Sequence, residues 1–388
     1  MRVYKKAILP KGFKANGIAC GLKKSGKLDL AVIYSELSAK AACLFTTNKI
    51  QAAPIKINKQ NLKNNRRFRA IIANSGNANC FTAYQGIKDA WETTRFLAKA
   101  LGIKKEEVLV SSTGIIGRRL DLSKIKKAIP DLIKGLSRQG IDKAKKAIMT
   151  TDKFTKEITV KFNIGNKTVT LCGIAKGAGM IAPNMATMLA FILTDANITQ
   201  GALGQALKIA VDNSFNCITV DGCMSTNDSV IMLANGQAKN SLVDSNKNFK
   251  PFLKALNVVC LELAKMIIRD AEGATKFIQI NVKQAKSFQE AKTVALGIAN
   301  SNLFKTAMYG QNPNFGRIVA SVGASDVEVK ERELKIRVSP LDKKEIKVDI
   351  SLNRGNCSAR VYTSDLTPEY IKINAEYNQE RLRHGRSD

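Results

Sequence analysis

The chain has 388 residues, 45% of them apolar, which suits one large α/β domain or two lobes; low-complexity tracts, long polar linkers and fixed-period repeats are absent, which argues against extended disorder. The net charge of +30 is uneven, with 36 Lys+Arg against 11 Asp+Glu in residues 1–186 and 26 against 21 in residues 187–388. The basic residues are scattered and not threaded with aromatics, the densest patch being Asn64-Asn65-Arg66-Arg67-Phe68-Arg69, so only charge speaks for nucleic acid and none is expected as a partner.

In chain order, DLAVIYSE and AACLFTT (within residues 30–55) predict two strands around a small-residue turn, and RAIIANSG (69–76) a third that runs into a polar Asn-rich loop. Apolar residues at helical spacing predict a helix over 85–101. VLVSSTGIIG (108–117) predicts a strand ending in a glycine turn, and 122–149 a basic helix interrupted at Pro130. EITVKFN and KTVTLCG predict a hairpin around Gly165-Asn166. AKGAGMIAPNMATMLAFILTDA then reads as a glycine-rich loop entering an apolar strand. Helices are expected at 201–215, 249–273 and 288–300, with strands at CITVDG, SVIMLAN, 316–323, 334–339, 345–351 and 358–363. The mixture predicts an α/β or α+β fold with a largely antiparallel sheet component.

Cys20, Cys43, Cys80, Cys172, Cys217, Cys223, Cys260 and Cys357 show no CxxC pairing and often sit in apolar runs, which predicts reduced thiols, no zinc site and a cytoplasmic protein. No apolar run reaches the length of a membrane span, and the first residues lack a secretory apolar core.

Elimination narrows the chemistry. The only histidine, His384, lies four residues from the end of the sequence, which disfavours a Ser-His-Asp triad, a Cys-His pair and a histidine metal site. An α-amino group, with a reference pKa of about 7.7–8.0, is an alternative base. A threonine that leads a chain carries nucleophile and base together. Pro183-Asn184-Met185-Ala186-Thr187-Met188-Leu189 offers such a residue where a loop meets a strand, although a threonine opening a buried strand is more often a plain strand-former.

The segment GIAKGAGMIAPNMATMLAFILTDA (173–196) resembles the signature of the ornithine acetyltransferase (glutamate N-acetyltransferase) family, also called ArgJ. The resemblance continues in family order through GFKANGIACGLK, FTTNKIQAAPI, ANSGNANC, SSTGIIG, TTDKFTKE, SFNCITVDGCMSTNDSV, RDAEGATKFI, NPNFGRIVASVG and INAEYN. It implies a layered αββα fold and self-cleavage between Ala186 and Thr187, giving an α chain (1–186) and a β chain (187–388) that assemble as an (αβ)2 heterotetramer. Thr187 is then the nucleophile, and Thr113 and Gly114 form the oxyanion hole. Thr151, Lys176, Thr187, Glu272, Asn374 and Gln379 fall at substrate contacts, Lys176 suiting a carboxylate and Glu272 an amine.

The implied reaction moves acetyl from N2-acetyl-L-ornithine to L-glutamate, with no cofactor or metal. Acetyl-CoA enters as a donor that some members use. A related N-terminal-nucleophile aminopeptidase or amidohydrolase is the rival reading. Ala182 stands where the family usually has His, Cys223-Met224 replace a common Asp-Thr, Gln379 replaces Thr or Ser, and ERLRHGRSD runs past the usual end.

Overall fold

The computed structural model describes residues 1–65, 67–182 and 188–376. Ala186, Thr187, Gln379 and His384 lie outside the described residues. The chain divides by packing into two compact units: Met1–Gly177 with Asn184–Asn216 and Met224–Ile267, and Ala178–Pro183 with Cys217–Cys223 and Ile268–Asp388.

In the larger unit the elements run β1 (Arg2–Tyr4), β2 (Phe13–Ile18), β3 (Leu30–Phe45), α1 (Ala53–Asn64), β4 (Phe68–Asn77), α2 (Ala83–Leu101), β5 (Val108–Ile115), α3 (Leu122–Lys134), α4 (Ile141–Ala147), β6 (Lys156–Ile164), β7 (Lys167–Lys176), β8 (Leu189–Thr194), α5 (Gln200–Asp212), β9 (Ser229–Ala234) and α6 (Phe249–Arg269). Among the described residues the strands form one sheet in the order β1-β6-β7-β8-β9-β3-β4-β5, with β2 beside β3. β3 is a single strand, where the sequence suggested two. Its first half pairs with β2 and β4 and its second half with β9, across a register shift between Tyr34 and Ala39. That bend folds the sheet into two leaves.

The inner faces of the leaves meet in one core. Ile33, Ile71, Ala73 and Leu109 come from one leaf, and Ile174, Phe191, Leu193, Ile231 and Leu233 from the other. On the outer face of the first leaf, Val32, Ala70, Ile72 and Val110 pack with Ile57 of α1, Leu97 of α2, and Ile125, Ile129 and Leu132 of α3. On the outer face of the second, Phe162 of β6 meets Phe252 of α6 at 6.3 Å between ring centroids. Gly173 lets α6 approach closely, since a Cβ there would lie 2.7 Å from Val259. The order helix, leaf, leaf, helix is the layered mixed α/β arrangement expected.

Pro130 does not break α3. The break falls between Gly135 and Gly140, where Ser137 exchanges backbone hydrogen bonds with Ala15 of β2 at 2.9 and 3.1 Å. A Cβ on Gly140 would run into the Ala15 carbonyl oxygen. The hairpin of β6 and β7 turns at Gly165, which has φ +59°, in the region that favours glycine.

In the smaller unit, β10 (Phe277–Ala285), β11 (Lys335–Val338), β12 (Glu345–Ser351) and β13 (Cys357–Ser364) form a sheet in the order β11-β12-β10-β13. α7 (Phe288–Ala299), α8 (Asn302–Tyr309) and α9 (Phe315–Gly323) contribute to its core with Val294, Ile298, Phe304, Ile318 and Val322, against Ile280, Val348 and Val361 of the sheet. α10 (Pro368–Glu376) follows β13.

The segment 316–323, expected as a strand, is helix. Ile318 and Val322, four apart, are buried while Val319 is exposed, which is helical spacing. CITVDG is not a strand, though Ile218 makes an isolated bridge to Tyr362. β1, β2, β10, α1, α8 and α10 were not anticipated.

Candidate active site

β5 ends its leaf, so one edge of it faces no strand among the described residues. Asparagines occupy that edge. Asn58 of α1 donates to Val110 O at 2.7 Å and accepts from Val110 N at 2.9 Å. Asn227 donates to Ser112 O at 2.8 Å and to Ala78 O at 2.6 Å. Backbone groups alternate along a strand, so residues 110, 112 and 114 share this edge. The Ile115 carbonyl points the other way and accepts from Ala78 N at 3.0 Å. The Gly114 N–H therefore faces away from β4, on the asparagine-lined edge. Gly114 has φ +134°, and a Cβ there would run into the Gly76 carbonyl carbon. Glycine is required at this position on both counts.

Thr113 is buried, and its Oγ1 accepts a hydrogen bond from Lys176 Nζ at 3.3 Å. Lys176, the last residue of β7, is buried as well. The negative charge nearby comes from Asp152, next in the chain to Thr151. Asp152 accepts from Gly177 N at 2.7 Å and from Lys156 Nζ at 2.6 Å, in an ion pair with no side-chain exposure. Burial by itself would raise this carboxyl. Lys176, Lys156 and the Gly177 N–H together hold it well below the usual carboxylate range. The loop that carries Thr151 is thus tied beside Lys176. Lys23 adds a further cation: its Nζ donates to Leu28 O at 2.8 Å and Met149 O at 2.7 Å, and burial pulls its ammonium down to about 8, Asp29 resisting and Lys176 assisting.

Met188, next in sequence to Thr187, is described. Its N–H donates to Asp228 Oδ1 at 2.9 Å, and its carbonyl accepts from Ser229 N at 3.1 Å. Asp228 is fully buried, and burial pushes its carboxyl well above the usual range, with the Met188 N–H and Lys176 pulling the other way.

In the smaller unit, Glu272 stands in the turn after α6, which ends at Arg269 and not at 273 as the spacing suggested. Glu272 N donates to Ala178 O at 2.9 Å, and its carboxylate accepts from Asn374 Nδ2 at 3.1 Å. Gly179 leaves the room this carboxylate fills, since a Cβ there would collide with it. Asp221 gathers the N–H groups of Met180 and Ile181 at 2.6 and 2.9 Å and the Tyr370 hydroxyl at 3.1 Å, fixing the start of the segment that leads to residue 183.

Thr113 and Lys176 are thus in direct contact in one unit, and Glu272 and Asn374 in the other. Thr151 is adjacent to the acid that neutralises Lys176. Asp152, Asp228 and the edge asparagines were not singled out from sequence. Their signal is faint: polar residues in TTDK and STNDSV beside strands, which surface loops show equally well. Among the described residues, no three His, Cys, Asp or Glu side chains cluster as a metal site, and no helix is long and apolar enough to cross a membrane.

A buried hydroxyl held by a lysine, beside an outward-facing glycine amide at a strand edge, is a site suited to stabilising an oxyanion in acyl transfer. The ArgJ family model matches residues 14–379, and the chain belongs to that family. It is 45% identical over 400 residues to a glutamate N-acetyltransferase of Methanocaldococcus jannaschii, covering 95% of this chain and 97% of that protein. It is 44% identical over 389 residues to the arginine biosynthesis bifunctional protein ArgJ of Oceanobacillus iheyensis, covering 95% of each. A solved ornithine acetyltransferase from Mycobacterium tuberculosis, complexed with ornithine, is 38% identical over 47% of this chain and 98% of that chain, with a TM-score of 0.44.

Proposed function

We propose that the chain is a glutamate N-acetyltransferase of arginine biosynthesis that moves acetyl from N2-acetyl-L-ornithine to L-glutamate through an acetyl ester on Thr187. Membership of the family along nearly the whole chain carries this reading. The contact between Thr113 and Lys176 supports the roles assigned around it.

Maturation begins with attack of the Thr187 hydroxyl on the Ala186 carbonyl carbon. The peptide C–N bond breaks as the C–O bond forms, and water hydrolyses the resulting ester. Residues 1–186 and 187–388 become separate chains, and Thr187 gains an α-amine. That amine takes the proton from its own hydroxyl as Oγ attacks the acetyl carbonyl. The Thr113 hydroxyl and Gly114 N–H hold the oxygen that becomes negative. Ornithine leaves with the proton, and glutamate enters by the reverse path.

Lys176, with Thr151 beside it, takes the substrate carboxylate, and Glu272 with Asn374 and Gln379 takes the amine end. One amide is exchanged for another, so the steps call for no cofactor or metal. Acetyl-CoA is a second donor to assay. The matured chains assemble as an (αβ)2 heterotetramer in the cytoplasm.

Mass spectrometry of the purified protein tests the reading: two fragments are expected, the second beginning at Thr187. An intact chain that still transfers acetyl removes the proposed base. Thr187→Ala should be both uncut and inactive. Acetylornithine supplied with and without glutamate separates transfer from hydrolysis, and initial rates over both substrates should follow a ping-pong pattern. Acetate release that ignores glutamate would point instead to an N-terminal-nucleophile amidohydrolase.

A further inference from the structure

Asp228 immediately precedes β9 and has no exposed surface. One oxygen, Oδ1, accepts the Met188 N–H. The other, Oδ2, is buried and has no hydrogen-bond partner among the described residues. Met188, just before β8, approaches from one side, and Thr46, just after β3, from the other, its N–H donating to the Asp228 carbonyl at 3.1 Å. Ser225 of the preceding loop also faces the carboxyl, and Lys176 on β7 is the charged group that acts on it. An unused oxygen in a dry interior is costly, and such an atom is conspicuous beside a residue with a chemical role. The Met188 nitrogen that Asp228 grips is bonded covalently to the Thr187 carbonyl carbon.

We propose that Asp228 is the positioning residue for the α-amine that cleavage creates at Thr187: Oδ1 holds the following peptide through the Met188 N–H, and Oδ2 accepts a hydrogen bond from the new amine. The inference rests on the reading of Thr187 as a chain-leading residue. Before cleavage the Thr187 nitrogen is an amide with one hydrogen. Afterwards it carries two, and three once protonated, so the cut adds donors on this nitrogen and, on protonation, a positive charge for Oδ2 to meet.

In the transfer step the Thr187 hydroxyl proton moves to this nitrogen as the bond from Oγ to the acetyl carbon forms. The ammonium that results is met by the Asp228 carboxylate. When the acetyl C–N bond breaks, the proton passes on to the departing amine of ornithine, and the Thr187 nitrogen returns to its neutral form. An acid in this position stabilises the protonated base in the way the aspartate of a Ser-His-Asp triad stabilises its imidazolium. Burial favours the neutral carboxyl in the precursor, and the ammonium favours its ionised form after the cut.

The test uses the full chain, wild type and Asp228→Asn. Asparagine keeps an oxygen for the Met188 N–H and removes the charge. Mass spectrometry reads the cut first: an uncut, active wild type overturns the Thr187 reading and this inference with it. In cut protein, the acid limb of kcat/KM in Asp228→Asn should lie at least about one pH unit below that of wild type, because the ammonium has lost its partner. The plateau kcat should fall at least about tenfold, with little change in KM for acetylornithine. Superimposable acid limbs with unchanged kcat overturn the role of Asp228 while leaving Thr187 in place. A variant that fails to fold or cut is bypassed by titrating the Thr187 α-amine in cut wild type, through pH-dependent reductive methylation at the new N-terminus. Its pKa should lie above the ordinary range of about 7.7–8.0, and a value within or below that range overturns the inference.

Discussion

Lys176 Nζ donates to Thr113 Oγ1 across 3.3 Å, joining the end of β7 to the end of β5 over 63 positions of sequence. The contact occupies a lone pair of the hydroxyl and leaves its proton as a donor. A lysine held in this way also places positive charge where an oxyanion would form.

Thr113→Val keeps the shape of the side chain and removes that donor. We expect kcat to fall about 100–1000-fold, the usual cost of one oxyanion-hole donor. Folding stability should drop by about 1.5–3 kcal/mol, since one hydrogen bond to a buried charged group is lost. Steady-state kinetics beside a denaturant titration separates the two, and activity close to wild type would remove Thr113 from the oxyanion role.

Gly114→Ala acts through the backbone. Its φ of +134° and the collision of a Cβ with the Gly76 carbonyl carbon leave the strand end no room to adjust. A destabilisation on the order of 3 kcal/mol is expected, with loss of self-cleavage. An unshifted melting curve would contradict the geometry.

Asp152→Asn leaves Lys156 buried without its counter-charge and deprives Lys176 of the acid next to it. Removing one partner of a buried pair typically costs about 3–5 kcal/mol. The folded-state pKa of Asp152 is depressed, so its contribution is present above the unfolded carboxylate pKa of about 3.9 and is lost as pH falls through the lower folded value. Denaturation measured from pH 7 down to pH 2 should show wild type and variant converging only in the acid part of that range. A constant gap throughout would assign the effect to something other than this carboxylate.

Cleavage at Ala186–Thr187 would not release the halves. β8, from the second chain, pairs with β7 of the first over Lys176↔Leu189 to Leu171↔Thr194, and β9 pairs with β3 over Lys40↔Ala234 to Phe45↔Ser229. Two bands on a denaturing gel should therefore elute as one species under native conditions. Separation of the fragments without denaturant would be inconsistent with this sheet.

Local signals were read correctly where they were strong. The hairpin at Gly165-Asn166, the long helix α2 and the capped helix α7, whose Ser287 side chain accepts from Glu290 N, all follow from nearby residues. Elements failed where packing decides between alternatives. FGRIVASVG is rich in β-branched residues and suits a strand, but burying Ile318 and Val322 together makes it α9. Pro130 carries a strong local stop signal, yet α3 continues through it because Ile129 and Leu132 on either side are buried against β-strand residues.

The order of motifs along the chain already identified the family, because each motif is local and its spacing survives without knowledge of the fold. Sequence also confined the chemistry, since a single histidine leaves few bases. It contained no sign that Asp228 would meet Met188, forty positions away, or that asparagines would cover the edge of β5. Whether an acid is solvated or buried, and which amide it meets, depends on strands brought together from distant parts of the chain. Only the folded sheet sets those neighbours.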